Sequence, residues 1–205
     1  MLQSYQFAFR GNIVDNQALS FSNYERLFRT IHRCMATQGV LNPHTSCIIF
    51  SVIGAALLNE FYRLQAKPIS GAAAFDFGLS NPIIYADRNA DTFSASDTGF
   101  HAWIEADGWL IDLTTPLLPE IAKQAGMKCS HRRMLQRPLS DEASSPFALT
   151  RNNPFFLLPD HRMSNESIDT VFEDPRYSKI VDMCFDAHRT GDKDRLSAIR
   201  VKGYW

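Results

Sequence analysis

The stretch FHAWIEADGWLIDL, residues 100–113, decides the fold. Two alternating runs flank Asp107-Gly108, and Asp-Gly between such runs is the strongest short-range signal for a tight β-hairpin. Both central residues of the favoured turn need positive φ, which Asp tolerates and Gly adopts freely. With that turn, Ala106 faces Trp109, Ile104 faces Ile111, Trp103 faces Asp112 and His101 faces Thr114. Side chains alternate between faces, so His101, Trp103 and Glu105 share one face with Leu110, Asp112 and Thr114. Ala102, Ile104, Ile111 and Leu113 take the other. His101 and Asp112 are then diagonal neighbours with Cβ atoms about 7 Å apart, within reach of an imidazole–carboxylate contact. A register slip of one residue would put them on opposite faces.

Upstream of the hairpin lies TSCIIFSVIGAALLNEFYRL, residues 45–64, with a first three turns that are apolar nearly all round. Such a helix must be buried on most sides. Thr45 or Ser46 can cap it, and either choice puts Cys47 in its first turn. Before it, SNYERLFRTIHRCMATQG reads as a helix opened by a Ser22–Glu25 capping box and stopped by Gly39. Its apolar stripe carries Leu27, Phe28, Ile31, Cys34 and Met35, so Cys34 is a core residue, while His32 is a surface or boundary residue.

Strands follow: ISGAAAFDF, PIIYAD and the two hairpin arms, with the polar RNADTFSASDTG read as a loop. LPEIAKQAG is a short helix ended by Gly126, and KCSHRRMLQ and NPFFLLP are strands. Asp174 and Pro175 open a last helix that runs through about His188, another boundary histidine, to Gly191. Helices followed by hairpin-linked strands imply an α+β fold in which the cysteine-bearing helix packs on an antiparallel sheet.

The 205 residues are read as one domain. A net charge of −1 argues against a general nucleic-acid binder, which needs a basic excess. The local basic cluster of Lys128, His131, Arg132, Arg133 and Arg137 reads as a charged strand edge. MLQSYQFAFRGN lacks the pattern of a secretory signal, and the apolar run at 48–58 is shorter than the roughly 20 residues that span a bilayer. Cys34, Cys47, Cys129 and Cys184 are too scattered for a disulfide scaffold. These features predict a cytoplasmic protein with reduced thiols, no membrane association and no cofactor.

A charged, oriented histidine needs a group to act on, and Cys47 is the candidate. Helix starts carry unpaired N–H groups and partial positive charge, which favour a thiolate and can hold an oxyanion. Cys47 as nucleophile, His101 as base and Asp112 as the orienting acid would carry out acyl transfer. The thiolate attacks an amide, ester or thioester in a small-molecule or peptide substrate. His101 protonates the leaving group, and water or an amine resolves the acyl-enzyme.

Cysteine at the start of a buried helix, then His-x-Trp on a strand and Asp-x-Thr on the next, resembles the papain-like cysteine-proteinase superfold. The order Cys, His, Asp is similar to its transglutaminase-like branch, over residues 44–116. The whole chain resembles a small bacterial family of unknown function within that superfold. The resemblance implies a Cys47–His101–Asp112 triad and a thiol-dependent hydrolase or acyltransferase. LNPHTSCIIF differs from papain-type enzymes, which have a tryptophan just after the cysteine and a glutamine shortly before it. The Arg-Gly-Gly-x-Cys signature of arylamine N-acetyltransferases is absent too. Two other readings compete. His44, Cys47, Cys129 and His131 are ligand types for a structural zinc site, and a papain-like domain can serve recognition without catalysis.

Overall fold

The computed structural model describes residues 17–40, 46–78, 82–89, 92–124, 126 and 134–190. Helix α1 spans Phe21–Thr37 and α2 spans Ser46–Tyr62. Strands β1 (Ala66–Phe75), β2 (Ile83–Tyr85), β3 (Asp87–Asn89) and β4 (Thr92–Ser94) follow. The predicted hairpin forms β5 (His101–Ala106) and β6 (Trp109–Asp112). Then come α3 (Leu118–Gln124), β7 (Leu135–Pro138), β8 (Phe155–Pro159), α4 (His161–Glu173) and α5 (Pro175–Thr190). The fold is α+β, and the ladders between these named strands are antiparallel.

The main sheet runs β2-β1-β5-β6-β7, and β8 also pairs with β1. Ala73 pairs with Tyr85 and Leu157, while Gly71 pairs with His101 and Pro159. A strand has two edges, so β8 holds one edge of β1 while β5 and β2 lie end to end along the other. The long strand β1 thereby brings the end of β2 beside the start of β5.

The sheet separates two cores. On one face, Ile104, Ala106 and Ile111 join α1, α2 and α5 in a large cluster that includes Leu27, Ile31, Phe50, Ile53 and Leu57. On the other, Trp103 and Leu110 join Phe75, Phe77, Ile83 and Phe155. The hairpin's alternation sets this division. Helix α2 is central, packing on β1 and β5 on one side and on α1, α4 and α5 on others. A Cβ on Gly54 would stand 2.6 Å from Leu113 Cδ1 and 2.8 Å from Ile104 Cδ1, so this glycine lets α2 lie close to the hairpin.

Four local expectations are corrected. The cap of α1 is Ser20, whose hydroxyl accepts the Asn23 N–H at 3.3 Å, rather than Ser22 with Glu25. The Gln136 side chain holds the chain just before it, accepting the Leu19 N–H at 2.8 Å and donating to the Leu19 carbonyl at 2.6 Å. That long-range clamp sets where the helix starts. Its end is as expected: Gly39, at φ 67, donates to Ala36 and Val40 to Met35, the paired bonds of a Schellman motif.

The stretch read as a loop before the hairpin carries strands β3 and β4 instead. Helix α4 was not anticipated. Asp160 caps it, accepting the Met163 N–H at 3.0 Å, but it meets the sheet through small polar groups. Ser164 bonds the Ser70 backbone and Ser167 bonds the Ser70 hydroxyl at 2.9 Å, so two serines share the buried face with Met163 and Val171. Finally, His32 and His188 are buried rather than surface residues. His188 packs on Phe61 and Tyr62 with ring centroids 4.8 and 5.6 Å apart, and burial with nearby Arg26 lowers its pKa to about 4. A neutral imidazole satisfies that apolar environment.

Among the described residues no helix is long and apolar enough to cross a membrane. His44, Cys129, His131, Gly191 and most of the basic cluster lie outside the described residues. Arg137 of that cluster lies on β7, 3.6 Å from Asp141.

Candidate active site

Asp107 and Gly108 have φ of 48° and 83°, the two positive values that the hairpin turn requires. The register pairs Ala106 with Trp109, Glu105 with Leu110 and Ile104 with Ile111. Continued, it puts Asp112 opposite Trp103, with His101 diagonal to it. His101 Nε2 lies 3.0 Å from Asp112 Oδ2. His101 begins β5 and Asp112 ends β6, so both stand at the open end of the hairpin. Cys47, in the first turn of α2, lies near enough to the same imidazole to help hold its pKa up. With Nε2 engaged by Asp112, Nδ1 is the ring nitrogen that does not meet the carboxylate. The structure therefore brings all three residues together from 66 residues of chain, 47 to 112.

The aspartate is held from several directions. Its Oδ1 accepts the Thr114 N–H at 2.8 Å and the Thr114 hydroxyl at 2.5 Å. Its backbone carbonyl accepts the Thr115 hydroxyl at 3.0 Å and the Tyr24 hydroxyl from α1. The Thr114 contacts are a local Asx-type motif that the Asp-x-Thr spacing allows. Tyr24 lies 88 residues away along the chain, and nothing in the sequence ties it to Asp112. Burial and the nearby Asp112 charge push the Tyr24 phenol well above its ordinary range, so it remains a neutral donor.

His101 is also enclosed by aromatic rings. Tyr85 stacks on it at 4.5 Å with a 21° tilt, and Phe75 meets it edge-on at 5.5 Å. Trp103 is fully buried beside it in sequence, and its indole N–H donates to Glu105 at 3.1 Å.

Burial alone disfavours an imidazolium and lowers the His101 pKa. The Asp112 charge and hydrogen bond, joined by Cys47, more than offset this and raise it to about 10. For Asp112, burial acts upward, but His101 and the Thr114 bonds dominate and hold the carboxyl below its ordinary value. The pair is thus ionised at neutral pH.

This has a consequence for stability. His101 contributes fully below its ordinary value of 6.5, and the contribution is lost as pH rises through about 10. Asp112 contributes above 3.8, and its contribution is lost as pH falls through its depressed value. The difference in melting temperature between wild type and Asp112→Asn should therefore be largest between those two ordinary values and shrink on either side. A difference that does not vary with pH in thermal melts would show that the two groups are not an ion pair.

Residues 20–203 match a family described as Protein of unknown function (DUF2026). The chain belongs to that family. The DUF2026 chain is also similar to a solved structure described as "The crystal structure of genomics APC5867", at 28% identity and a TM-score of 0.69. The match covers 87% of this chain and 82% of the other. No curated protein matches the chain.

Proposed function

We propose that this DUF2026 protein is a thiol-dependent acyl-transfer enzyme with a transglutaminase-like, papain-like arrangement. Cys47 is the nucleophile, His101 the acid–base and Asp112 the group that orients it. The observation that carries this reading is a buried imidazole paired with Asp112 at 3.0 Å, with Cys47 beside it at the start of α2. A structural histidine needs no thiol beside it at the start of a buried helix.

The Cys47 sulfur adds to the acyl carbon of an amide, ester or thioester, forming a tetrahedral oxyanion. The first backbone N–H groups of α2 have no intrahelical acceptor and can donate to that oxyanion. As the intermediate collapses, the acyl–heteroatom bond breaks and the proton held by His101 passes to the leaving group. Water or an amine then attacks the thioester, His101 removes the attacker's proton, and the acyl product leaves with the thiolate and imidazolium restored. Asp112 keeps the ring oriented and supports its positive charge throughout.

Intact-mass spectrometry after incubation with p-nitrophenyl esters, alkyl thioesters and glutamine or peptide amides tests the proposal. Wild type should gain one acyl mass mapped to Cys47, or turn over the substrate. Cys47→Ala should do neither. If no acyl class modifies Cys47 or is consumed, the non-catalytic recognition domain becomes the better reading.

A further inference from the structure

We propose that Tyr85 is a positioning residue for His101, holding the imidazole plane in the orientation that serves Asp112 and Cys47 together and favouring its charged form. This rests on the acyl-transfer reading above, but its evidence comes from a different strand. Gly71, Ala73 and Phe75 alternate onto one face of β1. Their partners His101, Tyr85 and Ile83 share that face, because directly paired residues do so. Two residues of β1 thus separate His101 from Tyr85, and Gly71 places no side chain between them.

The resulting stack has a 4.5 Å centroid separation and a 21° tilt. Phe75, 1% exposed, closes the edge at 5.5 Å and 80°. Two contacts of different direction leave the imidazole little freedom to turn about its χ2 bond. An imidazole turned by half a rotation would lose the Asp112 bond. The face of an aromatic ring is also electron-rich and attracts a cation stacked on it, more strongly when water is excluded. Among the described residues, the titratable groups facing the ring are Cys47 from α2, Asp112 from β6 and Tyr85 from β2. Tyr85 supplies the flat surface that neither of the other two can.

The full chain with Tyr85→Phe and Tyr85→Leu decides the question, with Ile83→Ala as a control for loss of packing in the same strand and core. Iodoacetamide labelling of Cys47 is followed against pH, alongside the His101 ring proton shifts by NMR. Tyr85→Phe keeps the stack, so its labelling profile should match wild type within about twofold and its ring shifts should stay upfield. Tyr85→Leu should slow labelling near pH 6.5 by on the order of tenfold and move the shifts downfield. Ile83→Ala should lower the melting temperature and leave the profile unchanged.

If Tyr85→Leu retains the wild-type profile while His101→Ala abolishes it, the positioning role is wrong and the triad reading stands. If His101→Ala leaves the wild-type profile unaltered, the triad reading itself fails. A profile altered equally by Ile83→Ala and Tyr85→Leu overturns the positioning role in favour of general packing. Should Tyr85→Leu not fold, Tyr85→Met carries the same comparison, since it fills the space without an aromatic face.

Discussion

In the folded protein near pH 6.5, Cys47 should alkylate on the order of tenfold or more faster than Cys34 and Cys184, and His101→Ala should remove most of that advantage. Exposure does not account for the expected difference, because Cys47 is 5% and Cys34 4% exposed. What separates them is the partner. Cys47 meets an imidazole raised to about 10 and therefore charged near pH 6.5, whereas the Cys34 pKa is lowered chiefly by the neutral Cys184 thiol beside it in the core, and by Arg33 less than burial raises it. A thiol is a weak, uncharged donor, and Arg33 is the smallest of the influences on Cys34. Asp112→Asn should reduce the advantage less than His101→Ala. The imidazole is still present, but burial then acts against its charge without a carboxylate to offset it. Mapping iodoacetamide adducts by mass spectrometry measures all three sites at once. Equal labelling of Cys47 and Cys34 would falsify the thiolate–imidazolium pair.

The second large effect should come from Gly71. Its added Cβ would lie 2.2 Å from the Leu158 carbonyl oxygen and 2.9 Å from Pro159 Cα. Those are backbone atoms of β8, which cannot rotate away as the methyl ends facing Gly54 can. Gly71→Val must push β8 from β1 or shift β1 itself, and β1 is paired with His101 at that residue. Overpacking against fixed atoms costs about 3 kcal/mol or more. For a chain of this size that is a fall of roughly 6–12 °C in melting temperature. The Cys47 labelling advantage should drop with it, because the frame of His101 has moved. Gly71→Ala should show the same direction at smaller size. A melting temperature within about 1 °C of wild type for Gly71→Ala would rule out the close approach of β8.

Much of this architecture was legible because local chemistry and tertiary structure agree. Asp107-Gly108 demanded positive φ twice, which set the turn; the turn set the register; and the register set which side chains share a face. His101 and Asp112 could thus be paired on paper across a hairpin of 12 residues, 101 to 112. The breadth of the apolar surface on α2 required burial, and the helix start located Cys47. Each inference needed contacts only a few residues apart or a periodicity too strong to misread.

What stayed hidden depends on residues distant in sequence, or on faces whose polarity conceals burial. Gln136 moved the start of α1 by clamping Leu19 from 117 residues away. Ser164 and Ser167 bond α4 to Ser70 and interrupt its apolar row of Met163, Ile168 and Val171, which weakened the signal of that helix. His32 and His188 look like boundary residues until neighbouring rings close over them. The hairpin, its register and the places of the three candidate site residues follow from the order of amino acids, because turn geometry and side-chain alternation act locally. Long-range packing alone puts Cys47 near His101, secures the Asp112 backbone with Tyr24 and covers the imidazole with Tyr85. Those contacts depend on how β1 joins strands end to end and on how closely α2 approaches the sheet, neither of which local propensity determines.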